Sequence, residues 1–428
     1  MKVLIKYHLK GYRHIQEIRM NSTKYEPKTQ EQNHDIETFI VGCDELPIAE
    51  TFDDMNLSED LLRGIYGYGF EQPTLIQKQA ILLGITKGKK RDIIAQSQSG
   101  TGKTATFIIT TFQNIDLSLQ KVQAIILSPT RRLSEQIFKV ATALGRFIKN
   151  LKLALCVGGE SLSENIRQLD SGAQVVIGCP GRVYDLLTRN RLLTKDIKMF
   201  CLDEADQMLT HKFVYQIQDI FERLPQNVQK LLFSATIPPV MFNITRKFMD
   251  KPIRLLLKTN EITLEGIKQF FVNVEREQYK LGALVDIYEN ITASQCIIYC
   301  NSVDRVERLC DYLDSQKFSV TKCHGKMDND RQIWVLKQFS AGNYRILVSS
   351  DLTARGIDIQ QISLVINYDI PFKNIETYVH RIGRSGRFGR VGAAISIITN
   401  RDIRCMEQIE RTFKTKIEPL PENYSKII

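Results

Sequence analysis

Residues 91–104 read RDIIAQSQSGTGKT, and the order of chemistry in them decides the fold. An apolar run at 93–95 gives way to the small polar cluster Ser97-Gln-Ser-Gly-Thr-Gly-Lys103-Thr104, and the helix-forming run ATFIITTF follows. A strand, a glycine turn and a helix in that sequence aim several backbone N–H groups at one point, where they hold a phosphate chain. Gly100 and Gly102 let the backbone come close, with Ser99 and Thr101 beside them in the same turn. Lys103 supplies a point charge for the β- and γ-phosphates, and Thr104 a hydroxyl for Mg²⁺. The first position of the G-x-x-x-x-G-K-[ST] pattern is here Ser97, small but not glycine.

Outward from this stretch, short β-rich runs alternate with amphipathic helical ones. RDIIAQ, VQAIILS, KLALCV, QVVIGC, KMFCLD and QKLLFSA form a first series; QCIIYC, FSVTKC, YRILVSS, SLVINYD and AAISIIT form a second. That rhythm predicts an α/β protein with two mainly parallel sheets, each covered by helices on both faces. Residues 1–50 are polar and aperiodic and read as a flexible tail without catalytic residues. The first domain is expected at 51–255, a linker without strand-helix rhythm at 256–266, and the second domain at 267–428. Small or polar clusters follow almost every run, and in open α/β sheets ligands gather at the carboxyl ends of strands.

Composition narrows the partners. The 428 residues are 43% hydrophobic and 25% charged, so the chain can build real cores. An excess of 58 Lys and Arg over 48 Asp and Glu favours an anionic partner. No run reaches the roughly 18–20 apolar residues of a membrane span, and Lys6 and Lys10 interrupt the amino-terminal apolar run where a secretory core would lie. Nine scattered cysteines without a C-x-x-C pair point to reduced thiols; Cys296 and Cys300 lie in an apolar run and read as packing residues.

In KMFCLDEAD, Asp203 and Glu204 fall at a strand end, as a Walker-B element requires. Asp203 is placed to hold the Mg²⁺ shell and Glu204 to orient and deprotonate the attacking water. In YVHRIGRSGRFGR the arginines are either a basic patch or, for Arg384 and Arg387, groups that stabilise charge on the γ-phosphate in the transition state; the P-loop elsewhere in the chain favours the second reading.

Taken together, these motifs resemble the DEAD-box RNA helicases from about Thr51 onward. The resemblance implies two RecA-like domains, with ATP and Mg²⁺ as cofactors. GYGFEQPTLIQ is similar to the family's adenine-reading Q motif, which would make Phe70 the stacking ring and Gln77 the base-edge partner. DEAD at 203–206, SAT at 234–236, ARGID at 354–358 and HRIGRSGR at 380–387 match its ATP and coupling motifs. Nucleotide roles are thereby implied for Gly356 and Asp358, and coupling roles for Asp206, Ser234, Thr236, His380 and Arg381.

RNA-facing roles are implied for Pro129, Thr130, Arg131, Gly158, Gly159, Pro180, Gly181, Arg182, Asn301, His324-Gly325 and Ser350. Such groups suit phosphates and 2′-hydroxyls and leave bases unread. Within the family the wording is most similar to the translation initiation factor 4A branch, with the exon-junction branch next. The first implies unwinding of local RNA structure, a scaffold protein of the cap-binding complex as partner and a cytoplasmic monomer; the second, with its nucleolar relatives, implies an ATP-gated RNA clamp in an exon-junction-like or rRNA-processing assembly in the nucleus. Two departures stand out: Arg132 where the family has Glu, and Cys179 where it has Thr. The second removes a hydroxyl suited to a phosphate.

Overall fold

The computed structural model describes residues 38–41, 49–86, 91–97, 101–209, 213–237, 241, 244–257, 267–291, 293–350, 362–372, 375–385, 392–421 and 423–424. The chain divides into two compact units, one spanning Glu37–Lys258 and the other containing Thr259–Ile428.

In the first unit the strands are β1 (Thr38–Val41), β2 (Ile93–Gln96), β3 (Ala124–Leu127), β4 (Leu153–Cys156), β5 (Val175–Gly178), β6 (Met199–Leu202), β7 (Gln229–Ser234) and β8 (Ile253–Leu257). Its helices are α1 (Glu59–Tyr68), α2 (Leu75–Ile85), α3 (Lys103–Asn114), α4 (Arg131–Leu144), α5 (Leu162–Asp170), α6 (Pro180–Thr188), α7 (Ala205–Met208) and α8 (Val214–Glu222). The sheet runs β1-β8-β2-β7-β6-β3-β5-β4, parallel throughout except for the β1–β8 pair. Helices cover both faces, so its strands are apolar on both sides: Ile93 and Ala95 enter one core cluster and Ile94 the other. Helix α4 shows the complementary period, burying Ser134, Ile137, Ala141 and Leu144. Against it α1 packs so closely at Gly64 that a Cβ there would lie 1.9 Å from the Leu144 carbonyl oxygen.

The second unit holds β9 (Ile267–Asn273), β10 (Gln295–Tyr299), β11 (Val320–Cys323), β12 (Ile346–Ser349), β13 (Ile362–Asn367), β14 (Gly392–Ile398) and β15 (Glu418–Pro419). Helices α9 (Lys280–Asn290), α10 (Val303–Ser315), α11 (Asn329–Ser340), α12 (Glu376–Ile382) and α13 (Ile403–Phe413) flank them. The order is β11-β12-β10-β13-β14-β9-β15, all parallel. Cys296 and Ile298 face one core cluster, Ile297 and Tyr299 the other. Both cysteines of this run are buried, as packing requires.

The expected two-sheet α/β architecture is present, with three differences at its edges. Residues 38–41, read as part of a flexible tail, form β1. Strand β8 extends to Leu257, into the stretch read as linker, and IKQFFVN forms β9. Strand β9 escaped the reading because no small polar cluster follows it: VEREQ leads from its end to α9. Most of the expected linker, 258–266, lies outside the described residues.

Candidate active site

Strand register sets the ends of β2, β7 and β6 side by side, with Gln96 opposite Ser234 and Leu202 opposite Leu232. The phosphate loop leaves β2 and enters α3 through Gly102, whose φ of +94° belongs to the left-handed region that glycine tolerates. A Cβ at Gly102 would also lie 2.6 Å from Gln77 Nε2. Lys103 is buried, and its ammonium donates to the Ser97 carbonyl at 2.8 Å, a neutral acceptor that a phosphate oxygen can replace. Thr104 stands half-buried in the same first turn of α3, and the Ser97 and Thr101 hydroxyls meet across the loop. Ser99 and Gly100 lie outside the described residues.

Gln77 is fully buried behind this loop. Its Oε1 accepts from the Thr74 N–H at 2.8 Å, and its Nε2 makes a long, 3.5 Å contact with the Gly102 carbonyl. The Thr74 hydroxyl donates to the Thr101 carbonyl at 2.8 Å. Thr74 and Gln77 form the capping box of α2, so one helix start braces the phosphate loop. Thr74 is a functional residue that sequence reasoning passed over, although T-x-x-Q before an apolar run is a signal for it. Phe70 is half-buried with its ring 5.0 Å from that of Tyr68.

Asp203 and Glu204 follow β6, which β7 separates from β2 in the sheet. Asp203 is buried, and its carboxyl is pushed up to about 7, first by burial, then by Glu204, with Lys103 pulling the other way. A carboxylate so short of positive charge fits a divalent cation, and Asp203 with Thr104 would hold Mg²⁺. Glu204 adopts a left-handed φ of 53°, uncommon for a residue with a side chain, and Gln207 Nε2 donates to its carboxylate at 3.3 Å. Asp206 ties this turn to β7: its carboxylate accepts from the Thr236 hydroxyl at 2.7 Å, and its N–H donates to the Ser234 hydroxyl at 3.2 Å. The three residues expected to couple in this unit are thus in direct contact.

The remaining strand ends of this sheet, β3, β5 and β4, collect the other polar motif residues, with Leu127 opposite Gly178 and Gly178 opposite Cys156. Thr130 caps α4, accepting from the Leu133 N–H at 3.3 Å, after Pro129. Arg131 pairs with Glu135 at 2.8 Å and donates to the Gly158 carbonyl at 3.2 Å, beside Gly159. Arg182, after Pro180 and Gly181, donates to the Glu160 carbonyl at 2.8 Å and to Asn165. The Arg131–Glu135 pair joins successive turns at the start of α4. Cys179 is the N-cap of α6 and makes no side-chain cap bond. Cys179→Thr is therefore expected to raise stability by about 1 kcal/mol through a restored cap, read as a higher urea midpoint; an unchanged midpoint would count against it.

In the second unit Arg381 is buried, and its guanidinium donates to the Asp369 carbonyl at 2.5 Å and to Asn301 Oδ1 at 2.7 Å. Asn301 Nδ2 in turn donates to the Ile370 carbonyl at 2.8 Å. Asn301, expected to face RNA, is exposed while its carboxamide is held in place by these two bonds, and Arg381 ties the ends of β10 and β13 together. Asp369 anchors the network: it accepts from the Asn301 N–H at 3.0 Å, from Lys280 at 3.3 Å and from Arg305. Nothing local in the sequence marks Asp369, because its partners come from three separate segments, around 280, 301–305 and 381. His324 and Ser350 follow β11 and β12, and His324 Nε2 lies 2.6 Å from Glu307. His380 and Arg384 are buried at the end of α12, where Arg384 Nε donates to the His380 carbonyl at 3.2 Å. Gly356, Asp358 and Arg387 lie outside the described residues.

Comparison with known proteins assigns this arrangement. Residues 74–244 match the DEAD/DEAH box helicase family, and residues 279–389 match the helicase conserved C-terminal domain. An ATP-dependent RNA helicase eIF4A of Neurospora crassa is 51% identical over 380 residues, 89% of this chain and 94% of that protein. The chain belongs to the DEAD/DEAH box helicase family. Eukaryotic initiation factor 4A of Drosophila melanogaster is likewise 51% identical to this DEAD-box helicase, over 89% of it and 93% of the fly protein. Among solved structures, S. cerevisiae Dbp5 bound to RNA and ADP BeF3 is similar with a TM-score of 0.79 and 33% identity, covering 87% of this helicase and 96% of that chain.

Proposed function

We propose that this chain is an ATP-dependent RNA helicase of the initiation factor 4A type, which hydrolyses ATP as it binds and unwinds local RNA structure in translation initiation. The observation that carries the ATP chemistry is the single strand-end row in which Lys103, Asp203 and Glu204 meet, with Gln77 bracing the phosphate loop from behind. Similarity of about half the residues over nearly the whole of the initiation factors supports the translation role.

Lys103 exchanges its carbonyl contact for a phosphate oxygen, and Glu204 takes the proton of the attacking water. Mg²⁺, when bound, neutralises charge on the β- and γ-phosphates. Arg384 and Arg387 act on the transition state through guanidinium forks, which a lysine cannot reproduce. Asp206, through Thr236 and Ser234, links the hydrolytic turn to the next strand end. RNA lies on the phosphate-binding residues of the remaining strand ends and is held by its backbone. A scaffold protein of the cap-binding complex is the expected partner, and the cytoplasm the expected location.

Phe70 stacks on adenine, and the Gln77 carboxamide, turned from Gly102, donates to and accepts from its edge; guanine offers the opposite pattern. RNA-stimulated turnover of ATP should accordingly exceed that of GTP by at least about tenfold, a difference of 1.4 kcal/mol. Equal turnover of the two would overturn the adenine reading.

A further inference from the structure

Helix α11 carries a feature that neither the ATP row nor the strand-backbone contacts employ. Val335, Leu336 and Phe339 bury its inner face in the core of the second unit. Outward it presents Trp334, the single tryptophan of the chain, which is 44% exposed. The Arg331 guanidinium, one turn earlier, lies 5.0 Å from the centre of the indole ring. Lys337, one turn later, is exposed as well, and no carboxylate among the described residues pairs with either cation. Asp330, also exposed, sits in the first turn and tempers the charge of this face.

A broad aromatic face between two cations is the composition of a stacking platform for unpaired bases, where every base offers a π-face and the cations meet the phosphates. Position directs the choice toward nucleic acid. Gln332 Nε2 donates to the Met327 carbonyl at 2.8 Å and to the His324 carbonyl at 3.3 Å, which fixes the first turn of α11 to the His324-Gly325 loop. Trp334 lies two residues further along the helix that starts from this loop.

We infer that Trp334, with Arg331 over its ring, stacks on an unpaired base of single-stranded RNA. The inference rests on the RNA-binding reading above and adds to it a base contact that is tolerant of sequence. Because no other tryptophan exists, indole emission of the full chain reports this position alone. The probes are an oligoadenylate and an abasic oligomer of equal length, each titrated with a nonhydrolysable ATP analogue present, with binding followed independently by anisotropy of a labelled strand.

Oligoadenylate should quench the indole while the abasic strand leaves it unchanged. Trp334→Ala should weaken oligoadenylate binding by about tenfold and abasic binding hardly at all, and Trp334→Phe should recover most of the loss. Binding of oligoadenylate without any change in indole emission, or equal weakening of both strands by Trp334→Ala, would overturn the inference while leaving RNA binding intact. Failure of the unaltered chain to bind either strand would remove the RNA reading itself, and the base contact with it.

Discussion

Replacing Glu204 by Gln is expected to reduce RNA-stimulated ATP hydrolysis by about 10²- to 10⁴-fold, the range that a positioned general base contributes, while ATP affinity stays close to that of the unaltered chain. The substitution keeps shape and hydrogen-bonding reach but removes the group that accepts a proton from water. Position 204 is held by more than its side chain: its backbone occupies the left-handed region and Gln207 steadies the carboxylate. A carboxamide there sits in the same place without the same chemistry. Single-turnover hydrolysis beside direct nucleotide binding separates the two effects. Normal hydrolysis in Glu204→Gln would remove Glu204 from the reaction, and a parallel loss of ATP affinity would show that it binds nucleotide instead.

The second large effect concerns stability. Asp369→Ala is expected to destabilise the second unit by about 3–5 kcal/mol, the usual result of deleting one partner of a buried ion pair. Both Asp369 and Lys280 are almost wholly inaccessible and 3.3 Å apart; the ammonium also donates to the Tyr368 carbonyl, while its other carboxylates, Glu277 at 3.5 Å and Asp402 at 3.9 Å, are longer contacts. The Asn301 N–H would lose its acceptor at the same time. Asp369→Asn should cost less, since an amide oxygen can still accept from that N–H. Urea denaturation of the full chain followed by circular dichroism checks this, and an unchanged midpoint in Asp369→Ala would mean that the network relaxes around the loss.

What could be read from the sequence was the part governed by local order. A strand followed by SQSGTGKT and a helix, or DEAD after an apolar run, fixes backbone direction and side-chain chemistry within a few residues, and in the structure Lys103 follows the end of β2 and Asp203 and Glu204 the end of β6, with β7 between them. What escaped was set by partners distant in sequence. Asp369 owes its role to Lys280, Arg305, Asn301 and Arg381, and no short pattern announces that meeting. Asn301 belongs to both cases: its motif position was legible in the sequence, whereas its bonds to the Ile370 carbonyl and to Arg381 come from distant segments. Cys179 lies between these cases. Its departure from Thr was visible in the sequence, whereas the helix cap it vacates became apparent only once α6 was seen to begin at Pro180.

Strand β1 has a bearing on solubility. Without it, Ile253–Leu257 would form the margin of the first sheet, a nearly uninterrupted aliphatic strand with one row of backbone groups unpaired, and such margins recruit strands from other molecules. The antiparallel pairing of Thr38 with Leu257 through Val41 with Arg254 occupies that row. The margin that replaces it is only four residues long, too short to template much further growth. Residues 38–41 thus cover an edge that would otherwise be open to other chains, a duty separate from nucleotide and RNA.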